Sequence, residues 1–212
     1  MIKIEKFTVN PVRENTYILS DESGECILID PGYSSDEEYD EVRGYISANK
    51  LKPVKIVNTH CHFDHIMGVE FIRHEYQIPF YAHRDDAFLV DGAASQAKMF
   101  GMTMDPVQPI DHFLNENEPV CFGQSQLNVI HIPGHAPGHV VLYSEAERFV
   151  IVGDVLFYGS IGRTDLPGGD YNTLISGIKT KLFKLPDDTK VYCGHGPETS
   201  LGVEKTTNPF LT

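Results

Sequence analysis

The sequence predicts an α/β fold in which two β-sheets pack together and helices cover them. Short apolar runs at strand spacing alternate with segments at helical spacing throughout the 212 residues. The alternation occurs in two comparable halves, and no linker or short repeat separates them. Hydrophobic residues make up 41% of the chain and charged residues 22%, which allows a large buried core. We therefore expect a single domain over residues 1–212, because single cores extend to about 250 residues.

The first half should begin with three strands and a helix. Strand patterns cover Ile2 to Val9, Thr16 to Leu19 and Cys26 to Ile29, and residues 21–24, DESG, are typical of the turn between the last two strands. Ser35 precedes acidic residues and apolar side chains at helical spacing, which indicates a helix start.

A strand-helix unit with a histidine-rich loop follows. Val54 to Val57 is a short apolar run, and Ile66 to Tyr76 has helical periodicity. Residues 59–65, THCHFDH, lie between them, so the motif belongs to a strand-to-helix loop.

The second half repeats this organisation, and its predicted strands that end at Ile132 and Val152 are followed closely by histidine, glycine or aspartate. The expected strands are Leu127 to Ile132, Val140 to Tyr143, Phe149 to Val152 and Val191 to Cys193. One helix, capped by Asp170 or Asn172, should run toward Leu182, and a last one should cover Glu198 to Thr206. Functional residues concentrate on loops that follow strands, which makes these strand ends candidate sites.

Four residues with metal-binding side chains lie within six positions: His60, His62, Asp64 and His65. Neutral imidazoles and carboxylates bind zinc-like cations at roughly 2.0–2.2 Å. Residues at i and i+2 of an extended segment point the same way, so His60 and His62 can share one ion while the turn directs the other two residues at a second ion. The alternative, that these residues only cap a helix and cover its surface, leaves the clustered histidines unexplained.

Two ions need further ligands from elsewhere in the chain. His131, His135 and His139 are spaced by four, but the intervening prolines and glycines exclude a helix, so at most one or two can converge. His135 is favoured because it lies between two Pro-Gly turns. The remaining histidines are expected to be packed or exposed without a ligand role: His131, His139, His74, His83 and His112.

Asp154 and His195 each follow a predicted strand. Asp154 comes after a buried apolar run and suits a bridging carboxylate, although a turn-forming aspartate is the alternative. His195 lies between two glycines, which allow close backbone approach to a site. Cys61 and Cys193 are weaker candidates, because Cys61 should point away from its flanking histidines and small buried cysteines are common.

Charge and hydropathy patterns exclude several classes of partner. The net charge of −13, with no basic cluster, disfavours nucleic acid and anionic lipid. No apolar run approaches the roughly 20 residues of a transmembrane helix, so no membrane association is expected. The N-terminal segment alternates like a strand and lacks the features of a secretory signal, and the four cysteines form no CxxC pair. We therefore expect a cytoplasmic protein; no oligomeric state is predicted.

Taken in order, these motifs resemble the metallo-β-lactamase superfamily over nearly the whole chain. The resemblance rests on His60-x-His62-x-Asp64-His65, His135, Asp154 and His195. It implies an αββα sandwich of two mixed sheets flanked by helices. It also implies that His60, His62 and His135 bind one ion and that Asp64, His65 and His195 bind a second, with Asp154 as the bridge. Asp30, in an Asp-Pro-Gly turn, is implied to orient a ligand histidine.

Further motifs are similar to the short, glyoxalase II-like branch of hydroxyacylglutathione hydrolases. They are HIPGHAPGHVV, GDVLFYGSIGRTDLPGGD, GHGPET and TNPF. The similarity implies cleavage of a thioester such as S-D-lactoylglutathione by a hydroxide that bridges two divalent ions, with zinc expected and iron or manganese as alternatives. Asp64 would help to position or deprotonate the nucleophile, and Arg163 would contact the substrate.

Two other functions are compatible with the motifs. The chain also resembles persulfide dioxygenases, which share His135 and the Gly162 to Asp165 segment and use one iron held by two histidines and an aspartate. The complete second-site set of Asp64, His65 and His195 favours the hydrolase. A non-catalytic metal-storing or interaction module is the third possibility, and the intact ligand set weighs against it.

Overall fold

The computed structural model describes residues 1–212 as alternating strands and helices. The strands are β1 Lys3–Val9, β2 Glu14–Ser20, β3 Glu25–Ile29, β4 Lys52–Val57, β5 Phe80–His83, β6 His112–Leu114, β7 Val120–Phe122, β8 Ser125–His131, β9 Val140–Ser144, β10 Phe149–Gly153, β11 Leu156–Phe157, β12 Ser160–Ile161, β13 Lys190–Cys193 and β14 Thr199–Ser200. The helices are α1 Asp36–Ala48, α2 Phe63–Ile66, α3 Val69–Tyr76, α4 Ala87–Met99, α5 Tyr171–Thr180 and α6 Leu201–Thr207. Single 3₁₀ turns occupy Arg84–Asp86 and Leu182–Lys184.

The strands form two six-stranded mixed sheets and a small hairpin of β11 and β12. The first sheet has the order β1-β2-β3-β4-β5-β6, antiparallel from β1 to β3 and parallel from β3 to β6. The second has the order β14-β13-β10-β9-β8-β7, in which β10 and β13 are the parallel pair. In both sheets the parallel strands direct the loops after their carboxyl ends to one edge.

The two sheets pack face to face, and helices cover both outer faces. A cluster of 14 buried residues fills the space between the sheets, for example Ile29 from β3 and Ile151 from β10. A cluster of 23 residues lies between the first sheet and α1, α3 and α4, and one of 15 residues lies between the second sheet and α5 and α6. All seven residues of β2 are buried, as expected for a strand covered on both faces. The predicted αββα sandwich is confirmed.

Two predicted helices have different bounds in the structure. The segment Ile66 to Tyr76 is not one helix, because the chain breaks at Gly68 between α2 and α3. A Cβ on Gly68 would lie 2.5 Å from the Tyr33 ring, so the break brings the backbone against that side chain. The last helix begins at Leu201 rather than Glu198, because Ser200 caps it by accepting from Val203 N while residues 199–200 pair with β13.

Most other predicted elements are present within two residues of their expected ends. Ser35 caps α1 by accepting from Glu38 N, and Asp170, one of the two predicted caps, accepts from Thr173 N at the start of α5. The sequence patterns did not predict α4, β5, β6, β7 or the β11-β12 hairpin. No helix is both long enough and apolar enough to pass through a bilayer.

Candidate metal centre

All seven predicted ligand residues meet at one edge of the sandwich. They come from loops after strands: His60 and His62 follow β4, Asp64 and His65 lie in the short helix α2, His135 lies between β8 and β9, Asp154 follows β10, and His195 follows β13. Val140 N donates to Thr59 O at 2.8 Å, which joins the two sheets at this edge. The residues at the edge are therefore held by both sheets.

Three histidines form the first cluster. His62 Nδ1 lies 2.9 Å from His135 Nε2, and His135 Nε2 lies 3.2 Å from His60 Nε2. All three side chains are buried. These nitrogens could ligate one ion, because they are within 4.8 Å of one another.

Asp64, His65 and His195 form the second cluster. His195 Nε2 lies 3.2 Å from Asp64 Oδ2, and His65 Nε2 lies 3.8 Å from the same oxygen. Asp154 stands between the clusters. Its Oδ1 lies 3.5 Å from His65 Nε2, and its Oδ2 lies 3.5 Å from His135 Nε2. A single carboxylate thus faces both sets of imidazoles.

Hydrogen bonds on the far side of the rings fix which nitrogen faces the centre. His65 Nδ1 lies 3.1 Å from Asp30 Oδ2, and His135 Nδ1 lies 2.7 Å from the carbonyl oxygen of Arg163. His195 Nδ1 lies 3.2 Å from the carbonyl oxygen of Arg13. Because these oxygens can only accept, each Nδ1 carries a proton, and each ring turns its Nε2 toward the centre.

His60 is oriented through Thr59. Its Nδ1 lies 3.1 Å from Thr59 Oγ1, which donates to Asp30 Oδ2 at 2.6 Å, and Asp30 Oδ1 accepts from Thr59 N at 2.7 Å. Asp30 therefore supports His65 directly and His60 through one hydroxyl. This is the geometry expected of the residue implied to orient a ligand histidine.

Buried atoms without partners test whether cations fit here. His65 Nε2 and Asp154 Oδ1 are inaccessible to solvent and make no hydrogen bond within the protein. Leaving such groups unpaired is costly, and a cation would pair with both. The donor set of imidazoles and carboxylates is also the one that zinc-like ions prefer. The residues fit a divalent metal centre.

The pKa values of the first cluster favour its metal-binding state. Burial, followed by the nearby His135, lowers the pKa of His62 to about 3, and burial with His65 lowers the pKa of His60 well below its ordinary value. Both imidazoles are therefore neutral at pH 7, as metal ligation requires. Burial opposes ionisation of Asp154, but the nearby His65 and His195 outweigh it and lower its pKa.

The carboxylates around His65 have the opposite effect on that ring. Burial disfavours its charged form, yet Asp154 and Asp64 raise its pKa well above the ordinary value. The second cluster thus attracts positive charge, which agrees with a site for a cation.

Two glycines allow the ligand loops to approach one another. Gly153 has a φ of +48°, and a Cβ there would lie 2.2 Å from Thr59 Oγ1. A Cβ on Gly194 would lie 2.2 Å from Asp154 Oδ1 and 2.9 Å from His65 Cε1. Both positions need glycine because the space is already filled.

Sequence reasoning missed three residues that support the centre. Asp86 is buried, and its carboxylate accepts from Cys61 N at 3.0 Å and Gly138 N at 2.6 Å, which ties the two histidine-bearing loops together. His139 accepts from Asp154 N at 3.0 Å through Nε2. Its burial agrees with the predicted packed histidine, but it also positions a candidate ligand.

Asn15 is the third, and it holds the loop that carries His195. Its backbone N–H donates to Gly194 O at 2.7 Å, and its side-chain amide donates to Cys193 O at 3.1 Å and Gly196 O at 2.9 Å. No spacing in the sequence connects position 15 with these carbonyls, so only the structure reveals the contact.

The other histidines and the cysteines lie outside the two clusters. His131 stacks on His83 with ring centroids 4.3 Å apart, and His112 stacks on Tyr81. The cysteines are free, and Cys26, Cys61 and Cys193 are buried. Burial raises the pKa of the Cys61 thiol well above its ordinary value, so it is a poor thiolate ligand, as expected.

A cleft of about 370 Å³ opens beside the centre. It is lined by Val12, His62, Phe63, Asp64, Gln96, Phe100, His135, Asp154, Phe157, Ser160, Ile161, Arg163, Leu166 and His195. Arg163 lines this cleft, and its guanidinium is held by Asp165 through Nε and Nη2, both at 2.7 Å. Its contact with a substrate stays a prediction.

The metallo-beta-lactamase superfamily model matches residues 9–195, a range that contains all seven candidate ligand residues. The chain belongs to this superfamily. Among its relatives, the probable metallo-hydrolase YqgX of Bacillus subtilis is 37% identical over 99% of this chain and 98% of its own length. The hydroxyacylglutathione hydrolase GloC of Haemophilus influenzae is 34% identical over 99% of this chain and 98% of its own length. The coarser prediction, a metallo-hydrolase of this superfamily, is confirmed.

Solved structures show the same superfamily fold. The BLEG-1 B3 metallo-beta-lactamase is 35% identical, with a TM-score of 0.91 over 99% of this chain and 100% of that one. TTHA1623, in a di-iron-bound form, is 39% identical, with a TM-score of 0.87 over 98% of this chain and 100% of that one. ETHE1 from Myxococcus xanthus is 25% identical, with a TM-score of 0.81 over 98% of this chain and 83% of that one. The His/Asp clusters and the di-iron neighbour together indicate the use of divalent metal.

Proposed function

We propose that this superfamily member is a binuclear metal-dependent thioester hydrolase of the glyoxalase II-like type. The observation that carries the proposal is the pair of histidine clusters joined by one carboxylate, with both clusters complete. The ions would be held by His60, His62 and His135 at one position and by Asp64, His65 and His195 at the other, with Asp154 between them. Zinc is the first candidate metal, because it binds imidazole and carboxylate ligands. Iron and manganese also accept this ligand mixture and are the alternatives.

When bound, a pair of divalent ions supplies an acidified water and polarises a substrate carbonyl. The side chains of the protein would position the water relative to the substrate carbonyl. The side chain of Asp64 is 12% exposed at the base of the cleft, and its Oδ2 faces His195. This carboxylate can orient the attacking water or accept its proton.

In the reaction, water oxygen bonds to the thioester carbonyl carbon and the carbon–sulfur bond breaks. The products are a carboxylate, a thiol and one proton. A thiolate leaves readily, so no side chain has to protonate the sulfur first. The similarity to GloC supports this reaction type.

Asp64→Asn tests the assigned role directly. We expect most turnover to be lost while one metal equivalent stays bound at the three-histidine cluster, because that cluster keeps all its nitrogens. Full activity in this variant would contradict the role of Asp64. His74→Asn is the matched control, since His74 lies on α3 outside both clusters.

A second candidate function is persulfide oxidation at a single iron. His60, His135 and Asp154 supply two histidines and a carboxylate, and His135 Nε2 is 3.2 Å from His60 Nε2 and 3.5 Å from Asp154 Oδ2. The Gly162 to Asp165 segment, noted above as shared with persulfide dioxygenases, borders the same cleft.

Metal analysis combined with two assays separates the candidates. The purified protein should contain two metal equivalents and hydrolyse S-D-lactoylglutathione or another thioester. One iron per chain together with persulfide-dependent oxygen uptake would overturn the hydrolase in favour of the dioxygenase. A β-lactam assay in parallel addresses the similarity to BLEG-1.

A further inference from the structure

The β11-β12 hairpin forms one wall of the cleft beside the metal centre. Phe157, Ser160 and Ile161 belong to this hairpin and line the cleft. The ring of Phe157 meets the ring of His195 edge-on, with centroids 6.2 Å apart. The hairpin therefore lies against the candidate ligands, although none of its own residues is one of them.

The base of the hairpin is joined to the centre on both sides. Asp154 lies two positions before the first residue of β11. After β12, the carbonyl oxygen of Arg163 lies 2.7 Å from His135 Nδ1. A Cβ on Gly162 would overlap the carbonyl oxygen of Asp154, so the two ends of the hairpin are in close contact. The same residues that form the centre thus fix where the hairpin begins and ends.

Two buried polar side chains hold the tip of the hairpin from helix α6 and the residue after it. Glu204 Oε2 accepts from Gly159 N at 3.0 Å, and Asn208 Nδ2 donates to Ser160 O at 3.0 Å. Asn208 Nδ2 also donates to Glu204 Oε2 at 2.8 Å, and Thr199 Oγ1 donates to Glu204 Oε1 at 2.6 Å. Thr199 ends the motif GHGPET and Asn208 belongs to TNPF, so these two motifs meet at the hairpin.

This network consists of neutral donors around one buried carboxylate. Glu204 and Asn208 are both inaccessible to solvent. The partners of the Glu204 carboxylate are a backbone N–H, a hydroxyl and an amide. A buried polar network adds little stability compared with an apolar contact of the same shape, but its bonds define one arrangement. The network therefore serves the geometry of the hairpin more than the stability of the fold.

Ser160 presents a hydroxyl that the protein leaves almost unused. The side chain is partly exposed in the cleft, where it is the only hydroxyl group of the lining. Its Oγ makes one long hydrogen bond, to the carbonyl oxygen of Ile161 at 3.5 Å. A hydroxyl can donate one hydrogen bond and accept two. Ser160 can therefore bond to a molecule in the cleft.

We propose that Ser160 is a substrate-binding residue and that Asn208 and Glu204 are positioning residues that place its hydroxyl. This inference rests on the proposed thioesterase function. Ser160 is not among the candidate ligands, so its hydroxyl would bond to a polar group of the thioester outside the reacting carbonyl. Such a bond has the same strength before and during the reaction, so its loss raises KM and leaves kcat nearly unchanged.

Ser160→Ala tests the contact in metal-loaded enzyme with S-D-lactoylglutathione. KM should rise about three- to tenfold, as expected for one lost hydrogen bond, while kcat stays within about twofold and metal analysis finds two equivalents. Ser176→Ala is the matched control, because Ser176 is an exposed serine of α5 outside the cleft. An unchanged KM in Ser160→Ala would overturn this inference but leave the hydrolase in place. Absence of thioester hydrolysis by the wild-type protein would overturn the hydrolase and this contact with it.

Asn208→Ala tests whether the buried network acts through the hairpin. It should raise KM at least as much as Ser160→Ala, with two metal equivalents still bound. The double variant should be no worse than Asn208→Ala alone, because the displaced hydroxyl no longer reaches the substrate. Additive effects on KM would overturn the positioning role. Thr206→Ala is the control on the same helix, since its hydroxyl is exposed and bonds only within α6.

Glu204 offers a rescue experiment that separates hydrogen bonding from charge. Glu204→Ala should raise KM as Asn208→Ala does. Glu204→Gln should restore most of the loss, because its amide oxygen can accept from Gly159 N and its NH₂ group can donate to Thr199 Oγ1. A glutamine variant with the same KM as the alanine variant would contradict placement of the hairpin by these hydrogen bonds. Ser160→Ala removes one partly exposed oxygen, so its KM decides the contact even where a variant of the buried network is unstable.

Discussion

Gly194→Ala perturbs the metal centre without removing any ligand. The new Cβ would lie 2.2 Å from Asp154 Oδ1 and 3.0 Å from the carbonyl carbon of Gly153, against about 3.5 Å for ordinary contact, so about 1 Å of movement is required. Asp154 cannot easily turn aside, because its carboxylate lies between His65 and His135. A misplacement of about 1 Å can lower catalysis about a hundredfold. We therefore expect kcat/KM to fall by about that factor.

The assay measures thioester hydrolysis and metal content on the same preparation. Bound metal should fall toward one equivalent, because the affected carboxylate faces both clusters. Gly196→Ala is the control on the other side of His195: its φ of +74° strains an alanine, but no atom lies within 4 Å of the new Cβ. It should cost about 1 kcal/mol of stability and keep its metal and most of its activity. Two metals and normal turnover in a folded Gly194→Ala protein would refute the steric reasoning.

Further predictions concern the groups that support the ligands. Asp30→Asn should weaken metal binding about 10- to 100-fold in competition with a chelator, and unchanged affinity would contradict its supporting role. Asn15→Ala should lower the free energy of unfolding by about 1–3 kcal/mol in urea melts and reduce second-metal occupancy, whereas a purely local role would leave metal content intact. Removing all metal should abolish hydrolysis and lower stability by about 3 kcal/mol for each ion present at 100 times its Kd, and a chelated protein that melts like the loaded one would argue against structural coupling. Burial raises the pKa of Asp86 to about 7, so the folded chain retains a proton that the unfolded chain releases near the ordinary value of 3.8, and stability should decline as pH rises between these values. Asp86→Asn should remove that slope, and an unchanged slope would assign it to other groups.

The sequence was sufficient to predict which candidate ligand residues lie together, because the chemistry of those residues is explicit in their types and positions. His60 and His62 alternate on an extended segment, and Asp154 and His195 follow apolar strands. Parallel strands place the loops after their carboxyl ends at one edge of a sheet, and the family resemblance supplied the pairing of the two halves. Strands β9 and β10 were predictable because both of their faces are buried, which leaves near-continuous apolar runs in the sequence.

Other parts of the structure could not be predicted, because no sequence pattern indicates them. Helix α4 has small residues and Gly92 in its interior and lacks a clear apolar face, so tertiary packing rather than local pattern decides its conformation. The strands β11 and β12 have two residues each, too few to show alternation. Asp86 and Asn15 act by bonding distant backbone groups, and such contacts depend on where the chain folds, not on spacing along it.

The position of Asp30 links the two metal sites energetically. It bonds His65 of one cluster directly and His60 of the other through Thr59, so immobilising either ring also restricts the other. Binding of the first ion therefore also orders part of the second site, so the second ion loses less conformational entropy when it binds. We expect the metal-free protein to take up its ions cooperatively, with few singly loaded molecules at half saturation, rather than filling two independent sites in succession.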